Sequence, residues 1–115
     1  MGRTIHYRTK EAVTAREFEQ ILKIAEKYNA GYKWAHENIK IWRGAGGTLW
    51  GFTKVNDDER DRKSVARAIK EMSKTTPRLT WLFFDEGWPA KDEWATFKGG
   101  KPGQLSEKIS DCFSI

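Results

Sequence analysis

The sequence has little cysteine and no long apolar run. The first feature excludes a disulfide-stabilised domain, and the second argues against a membrane-spanning helix. Cys112 is the only cysteine among 115 residues, so no disulfide can form within the chain, and we expect a reducing compartment. No apolar run approaches the roughly 18 residues of a membrane span, and no signal peptide precedes the first predicted strand. These features predict a cytoplasmic protein with no membrane partner.

Residues of the types that hold metals or perform catalysis are also scarce. The two histidines, His6 and His36, lie in different predicted strands, and no Cys/His cluster has the spacing of a metal site. Nucleophile motifs, phosphate-binding loops and dinucleotide fingerprints are absent. Glu86, just past the last predicted strand and beside Trp88, is a candidate general acid or base, although its residue type is ordinary in a turn. We therefore expect no metal, no cofactor and no catalytic residue.

Tryptophan and positive charge are what the chain has in excess. It contains six tryptophans, well above ordinary usage, and its 21 basic and 16 acidic residues give a formal net charge of +5. A basic surface suits an anionic partner such as nucleic acid, without requiring one. The length fits one domain with a single core.

Hydrophobic periodicity predicts two helices and four strands. The first helix begins at a capping box formed by Thr14 and Glu17, and the second begins at Asn56 and has acidic residues in its first turn. Each helix has one apolar stripe at helical spacing. Alternating residues predict the strands. The predicted helices are 14–29 and 57–74, and the predicted strands are 3–9, 33–42, 47–55 and 79–85.

This order of elements predicts a ferredoxin-like βαββαβ fold, an α+β arrangement of an antiparallel sheet with two helices on one face. Residues 1–87 would form this core. Residues 88–115 would form an ordered C-terminal extension packed on the core rather than a separate domain. The extension begins as irregular chain and carries too many aromatic residues for a free tail, and a short helix is predicted from near Ser106.

Strand alternation sorts the strand residues into a helix side and an open side, and a register error of one residue would exchange the two sets. The helix side would take Ile5, Tyr7, Ala35, Ile39, Ile41, Leu49, Val55, Leu82 and Phe84. The open side would also include His36 and Phe83. With Arg43 from the hairpin turn, it supplies the candidate ligand-binding residues, which are His6, Arg8, Trp34, Lys40, Trp42, Arg43, Trp50, Phe52, Lys54 and Trp81.

An aromatic and basic sheet face is typical of proteins that bind single-stranded nucleic acid, because rings stack on bases and cations neutralise phosphates. Trp50-Gly51-Phe52 resembles the aromatic-glycine-aromatic centre of the third strand in the RNA recognition motif. Thr48-Leu49 and Val55 depart from that pattern, so the resemblance covers three residues and an order of elements. It implies a nucleic-acid ligand on this face without assigning the chain to that family.

Two other functions fit the same residues. In the first, the extension or a second copy of the chain covers the face, which is then a second core layer in a structural or self-associating (homodimeric) domain. Exposed apolar patches are rare on soluble monomers, which favours such a cover. In the second, a small-molecule or enzyme site lies where the extension meets the sheet. A small non-catalytic binding module for single-stranded nucleic acid, or for another anionic ligand, is the preferred hypothesis.

Overall fold

Residues 3–88 and 94–103 are described in the computed structural model of the chain. All the strands found there pair into one antiparallel sheet in the order β2-β3-β1-β4-β5-β6, so the protein is α+β with a six-stranded antiparallel sheet and two helices. The elements are β1 (Thr4–Ala12), α1 (Ala15–Gly31), β2 (Lys40–Arg43), β3 (Thr48–Lys54), α2 (Glu59–Thr75), β4 (Trp81–Asp85), β5 (Ala95–Lys98) and β6 (Lys101–Pro102).

Both predicted helices are present, and their caps explain where they begin. The Thr14 hydroxyl accepts from the Glu17 amide at 3.1 Å while the Glu17 carboxylate accepts from the Thr14 amide at 2.8 Å, which confirms the capping box. The predicted cap of α2 is wrong by two residues. Asp58 is the cap, because its carboxylate accepts from the amides of Arg60 and Asp61, whereas Asn56 lies in the preceding turn with a φ of 50°.

Strand β2 is much shorter than the predicted 33–42, because the chain before it bonds to the helices instead of the sheet. The Ala35 amide donates to Asp61 of α2 at 3.1 Å. The Ile39 amide donates to the Asn29 side chain of α1 at 2.8 Å, and that side chain also donates to the Ile39 carbonyl. With these groups engaged, a strand can start only at Lys40. Ala35 is exposed rather than buried on the helix side.

The helices and one side of the sheet share a single core, in which Ile5, Tyr7, Leu49 and Val55 are almost fully buried. Gly51 lets the Tyr7 ring enter this layer. A Cβ at position 51 would overlap the Tyr7 ring and the Lys40 carbonyl oxygen, so glycine is needed there for close approach. The Tyr7 hydroxyl is held by the Lys40 carbonyl and by Thr53, both at 2.9 Å. The glycine of Trp50-Gly51-Phe52 therefore has a packing role.

Strand β4 has the opposite sidedness to the prediction. Trp81 and Phe83 lie under the helices and are fully buried, while Leu82 and Phe84 lie on the open side. Asp85 fixes this orientation, because it follows Phe83 by two residues and its buried carboxylate therefore lies on the same, helix side of the sheet. There Asp85 bonds to Arg3 through Nε at 2.7 Å and Nη2 at 2.6 Å. The prediction that Leu82 and Phe84 face the helices is wrong.

The extension contributes two strands to the sheet, where the sequence predicted irregular chain. Ala95 and Phe97 of β5 are fully buried, and the Phe97 ring lies edge-on to Phe83 at 6.3 Å. The Gly100 amide in the turn between β5 and β6 donates to the Ser73 hydroxyl of α2 at 2.9 Å. The terminal helix predicted from near Ser106 lies outside the described residues.

Candidate ligand-binding face

The open face is the side of the sheet away from the helices, and cross-strand pairing arranges its side chains in two rows. Residues directly opposite one another on paired strands project from the same face. The first row runs Trp42, Trp50, Arg8, Leu82 and Thr96. The second runs Lys40, Phe52, His6 and Phe84, and Trp94 extends it through a ring contact with Phe84 at 5.3 Å. Each row contains five residues and extends about 19 Å across the sheet, perpendicular to the strands, at the usual spacing between strands.

An aromatic cluster lies at the β2-β3 end of the open face. The Trp42 and Trp50 rings stack with centroids 4.7 Å apart at 28°, and Phe52 is 5.3 Å from Trp42. Despite their size, Trp42 is 40% exposed and Trp50 is 45% exposed. The rings therefore stabilise each other while leaving a large part of their surface accessible to a ligand.

A second aromatic cluster lies at the β4-β5 end. The Arg8 guanidinium carbon is 4.5 Å from the centre of the Trp94 ring, which is the geometry of a cation–π contact. The His6 ring lies between the clusters, 6.1 Å from Phe84 and paired across β1 and β3 with Phe52. Aromatic rings thus flank strand β1, which places His6 and Arg8 on this face.

The cations of the open face differ in how much of their charge is neutralised. Lys40 pairs with Glu37 at 3.3 Å. Partial burial raises the pKa of Glu37, but hydrogen bonds from the Lys54 amide and the Lys40 ammonium outweigh it and lower the pKa, so the carboxylate is charged near neutral pH. Arg8 and Lys54 have no carboxylate within 4.0 Å among the residues that the structure describes. These two cations are available to an anionic ligand.

A second acidic group, Glu86, offsets further positive charge. Glu86 bonds to His6 Nε2 at 3.0 Å and accepts from the Thr4 amide at 2.9 Å. The side-chain hydrogen bond with His6, aided by that from Thr4, holds the pKa of Glu86 below its usual range. Its negative charge lies beside Thr4, at the end of β4 and at the border of the second row, so an anionic ligand would be favoured on the Arg8 side of His6.

Seven of the ten predicted site residues share the open face, and three do not. That the residues on the open face contact a ligand stays a prediction. The seven are His6, Arg8, Lys40, Trp42, Trp50, Phe52 and Lys54.

Trp81, Trp34 and Arg43 are the three whose predicted placement is wrong. Trp81 is in the core, where its indole donates to the Thr76 hydroxyl at 3.2 Å. Trp34 precedes β2 and packs edge-on against Tyr32 at 4.7 Å, near the end of α1. Arg43 directly follows Trp42 in β2, so its side chain projects from the helix side of the sheet. Its guanidinium donates to the Val13 carbonyl at 2.7 Å.

Sequence reasoning missed Phe84 and Trp94 as members of the open face. Every residue from Trp81 to Phe84 is apolar, so β4 carries no alternation from which its two sides could be told apart. The available signal was Asp85, the charged residue that follows the apolar run. An ion pair between Asp85 and a residue on the helix side would have fixed which β4 residues face the helices. Trp94 belongs to the extension that is predicted to pack on the core, but nothing local to it indicates a neighbouring strand.

A shallow cleft of about 290 Å³ lies on the helical side of the molecule, lined by Lys27, Tyr28, Gly31, Tyr32, Ser64 and Arg67. The Tyr28 and Tyr32 hydroxyls donate to Glu71 and Asp61, respectively, so they are engaged by the protein itself. Within residues 3–88 and 94–103 there is no group of three or more His, Cys, Asp or Glu side chains that could hold a metal ion. Neither of the two described helices is long and apolar enough to cross a membrane.

Comparison of the chain with protein-family models, with curated proteins and with solved structures finds no significant match.

Proposed function

We propose that the chain is a small, non-catalytic, cytoplasmic binding module whose open face takes a single-stranded nucleic acid. The observation that carries this proposal is the stacked pair of Trp42 and Trp50, which are 40% and 45% exposed beside Arg8, a cation with no carboxylate within 4.0 Å in the described part of the chain. We interpret the first four strands as a ferredoxin-like sheet, extended at the β4 edge by β5 and β6. In this arrangement both helices lie behind the sheet and leave the open face to the ligand.

Stacking supplies the first part of the affinity. Every base has a π-face, so exposed rings bind unpaired bases with little regard to sequence, at about 1–3 kcal/mol per stack. The face has one aromatic cluster at each end, Trp42 with Trp50 and Phe84 with Trp94. A strand laid across the sheet would place bases on both clusters.

Phosphate neutralisation supplies the second part. Arg8 lies in the first row next to Trp50, and Lys54 follows Phe52 on the same side of β3. Cations next to stacking rings allow one nucleotide to be held by its base and its phosphate together. Glu37 and Glu86 offset Lys40 and His6, so Arg8 and Lys54 would carry most of this interaction.

The test compares Trp50→Ala with Trp34→Ala, which removes the same side chain from a site off the open face. Affinity for a labelled single-stranded oligonucleotide, measured by fluorescence anisotropy, should fall by about 5- to 150-fold in Trp50→Ala, the equivalent of one lost stack. Trp34→Ala should bind as the parent does, because Trp34 packs at the end of α1. Thermal melts of both variants establish that the protein used in the titration is folded.

Equal affinity in the parent and Trp50→Ala, or no detectable binding by the parent at low salt, would contradict the proposal. The exposed pair could also be the contact of a homodimer. Sedimentation of the parent and Trp50→Ala separates this alternative, because a dimer through the open face would dissociate in the variant without any oligonucleotide.

A further inference from the structure

The outward side of α2 carries a row of five cations, one for each turn of the helix. Arg60, Lys63, Arg67, Lys70 and Lys74 are all exposed and recur at alternating intervals of three and four residues. This spacing puts them on one stripe of the helix, and the stripe is about 21 Å long at 1.5 Å per residue. The opposite side of α2 is buried against the core, so this basic row faces away from the sheet.

Four of the five cations are not neutralised by the part of the protein that the structure describes. Arg60 has Asp58 at 3.9 Å, and the others have no described carboxylate within 4.0 Å. The two glutamates of α2 are engaged elsewhere, since Glu59 pairs with Arg3 and Arg62, and Glu71 pairs with Lys27 of α1.

The exposed side of α1 is different. There Glu19 lies 3.9 Å from Lys23, and Glu17 pairs with Arg78. Acidic and basic residues alternate on α1, as is usual for a solvated helix. The accumulation of one sign of charge is therefore specific to α2 and is not a general property of the surface.

We propose that the basic row is a second interaction surface, which binds the phosphate backbone of a nucleic-acid duplex. A straight row of unpaired cations complements an extended polyanion, and lysine and arginine contacts to phosphates position a protein on nucleic acid without reading its sequence. A duplex presents its phosphates at fixed positions with the bases stacked inside. None of the five residues is aromatic, and the rings beside Arg67, those of Tyr28 and Tyr32, are only partly exposed, in contrast to Trp42 and Trp50 on the open face.

An anionic membrane fits this surface less well. Helices that lie on membranes insert an apolar face beside their basic residues. The apolar residues of α2, including Val65, Ile69 and Met72, are fully buried in the core. The large exposed apolar side chains of the described residues, Trp42 and Trp50, are on the other side of the molecule.

The basic row goes beyond the proposed function, because it lies on the opposite side of the domain from the open face and takes a different form of nucleic acid. The two surfaces could therefore be occupied together, a single-stranded segment on the sheet and an adjoining duplex on α2. Each can be disabled without the other.

The test is Arg67→Gln combined with Lys70→Gln, compared with Arg16→Gln combined with Lys23→Gln, which removes the same charges from exposed positions of α1. Binding of a labelled DNA duplex of about 20 base pairs is followed by anisotropy from about 50 to 200 mM salt. If all five cations contact phosphates, the slope of log K against log salt is about −4.5 for the parent and about −2.7 for the α2 variant. Duplex affinity at the lowest salt should fall more than about tenfold in the α2 variant, and the α1 control should stay near the parent.

Two readouts separate this proposal from that for the open face. Single-stranded affinity should be the same in the α2 variant and the α1 control, and Trp50→Ala should leave duplex affinity unchanged. Equal losses of duplex affinity in the α1 and α2 variants would mean that only net charge matters, and would overturn the proposal. Failure of the parent to bind duplex at low salt would also overturn it, without bearing on single-stranded binding.

Discussion

Trp81→Ala is expected to lower the free energy of unfolding by about 3–5 kcal/mol, the usual loss when a buried tryptophan is truncated in a core. The Trp81 ring is fully buried under the helices, and its indole N–H is satisfied by the Thr76 hydroxyl. Removing the ring opens a cavity and leaves that hydroxyl without its donor. Urea denaturation followed by far-UV circular dichroism measures the loss.

Trp50→Ala is the matched control, because it removes the same side chain from the open face. Trp50 is 45% exposed and its main packing partner is the stacked Trp42, so the expected loss is about 1–2 kcal/mol. If the two variants lose the same stability, the sidedness of β4 described above is wrong, or the open face is covered in solution.

Asp85→Ala is expected to cost about 3–5 kcal/mol, because it removes the fully buried carboxylate of an ion pair whose other partner, Arg3, is 20% exposed. Asp85 has no exposed surface, and its two oxygens accept from Arg3 at 2.7 and 2.6 Å, while Oδ1 also accepts from the Gly87 amide at 2.8 Å. Without the carboxylate, the ionic partner that Arg3 keeps among residues 3–88 and 94–103 is Glu59. The same denaturation experiment measures the effect.

Asp57→Ala serves as the control for this substitution, since Asp57 is exposed in the turn before α2 and should change stability by no more than about 0.5 kcal/mol. Combining Arg3→Ala with Asp85→Ala should cost less than the sum of the two single losses, because each single variant strands a charged partner. Additive losses would show that the two side chains do not form the pair described.

The sequence correctly predicted the parts of the fold that depend on residues close to one another in the chain. The capping box of Thr14 and Glu17 and the apolar stripes of both helices depend on residues within a few turns of one another. Strands β1 and β3 alternate cleanly, so the open-side positions of His6, Arg8, Trp50 and Phe52 follow from the sequence.

The parts that the sequence did not predict depend on distant partners. Strand β2 is shortened by side chains of α1 and α2, Asn29 and Asp61, that no pattern around residue 35 reveals. The β4 run is apolar throughout, and its sidedness is set by Arg3, more than 80 positions away in the chain. The pairing of β5 with β4 could not be predicted either, because neither segment has a local pattern that indicates the other as its partner. Two of the three misplaced site residues, Trp34 and Trp81, were misplaced for these reasons, and Arg43 was misplaced because β2 continues one residue further than predicted.

The six tryptophans allow the central claim, that the open face is the ligand-binding surface, to be tested in one titration. Each tryptophan contributes one indole N–H signal to a ¹⁵N-correlated NMR spectrum, and single Trp→Phe variants assign the signals. Titration with a single-stranded oligonucleotide should shift the signals of Trp42, Trp50 and Trp94, which lie on the open face. The signals of Trp81 in the core and Trp34 behind the sheet should stay in place. Unmoved signals from Trp42 and Trp50 at saturating oligonucleotide would contradict the account.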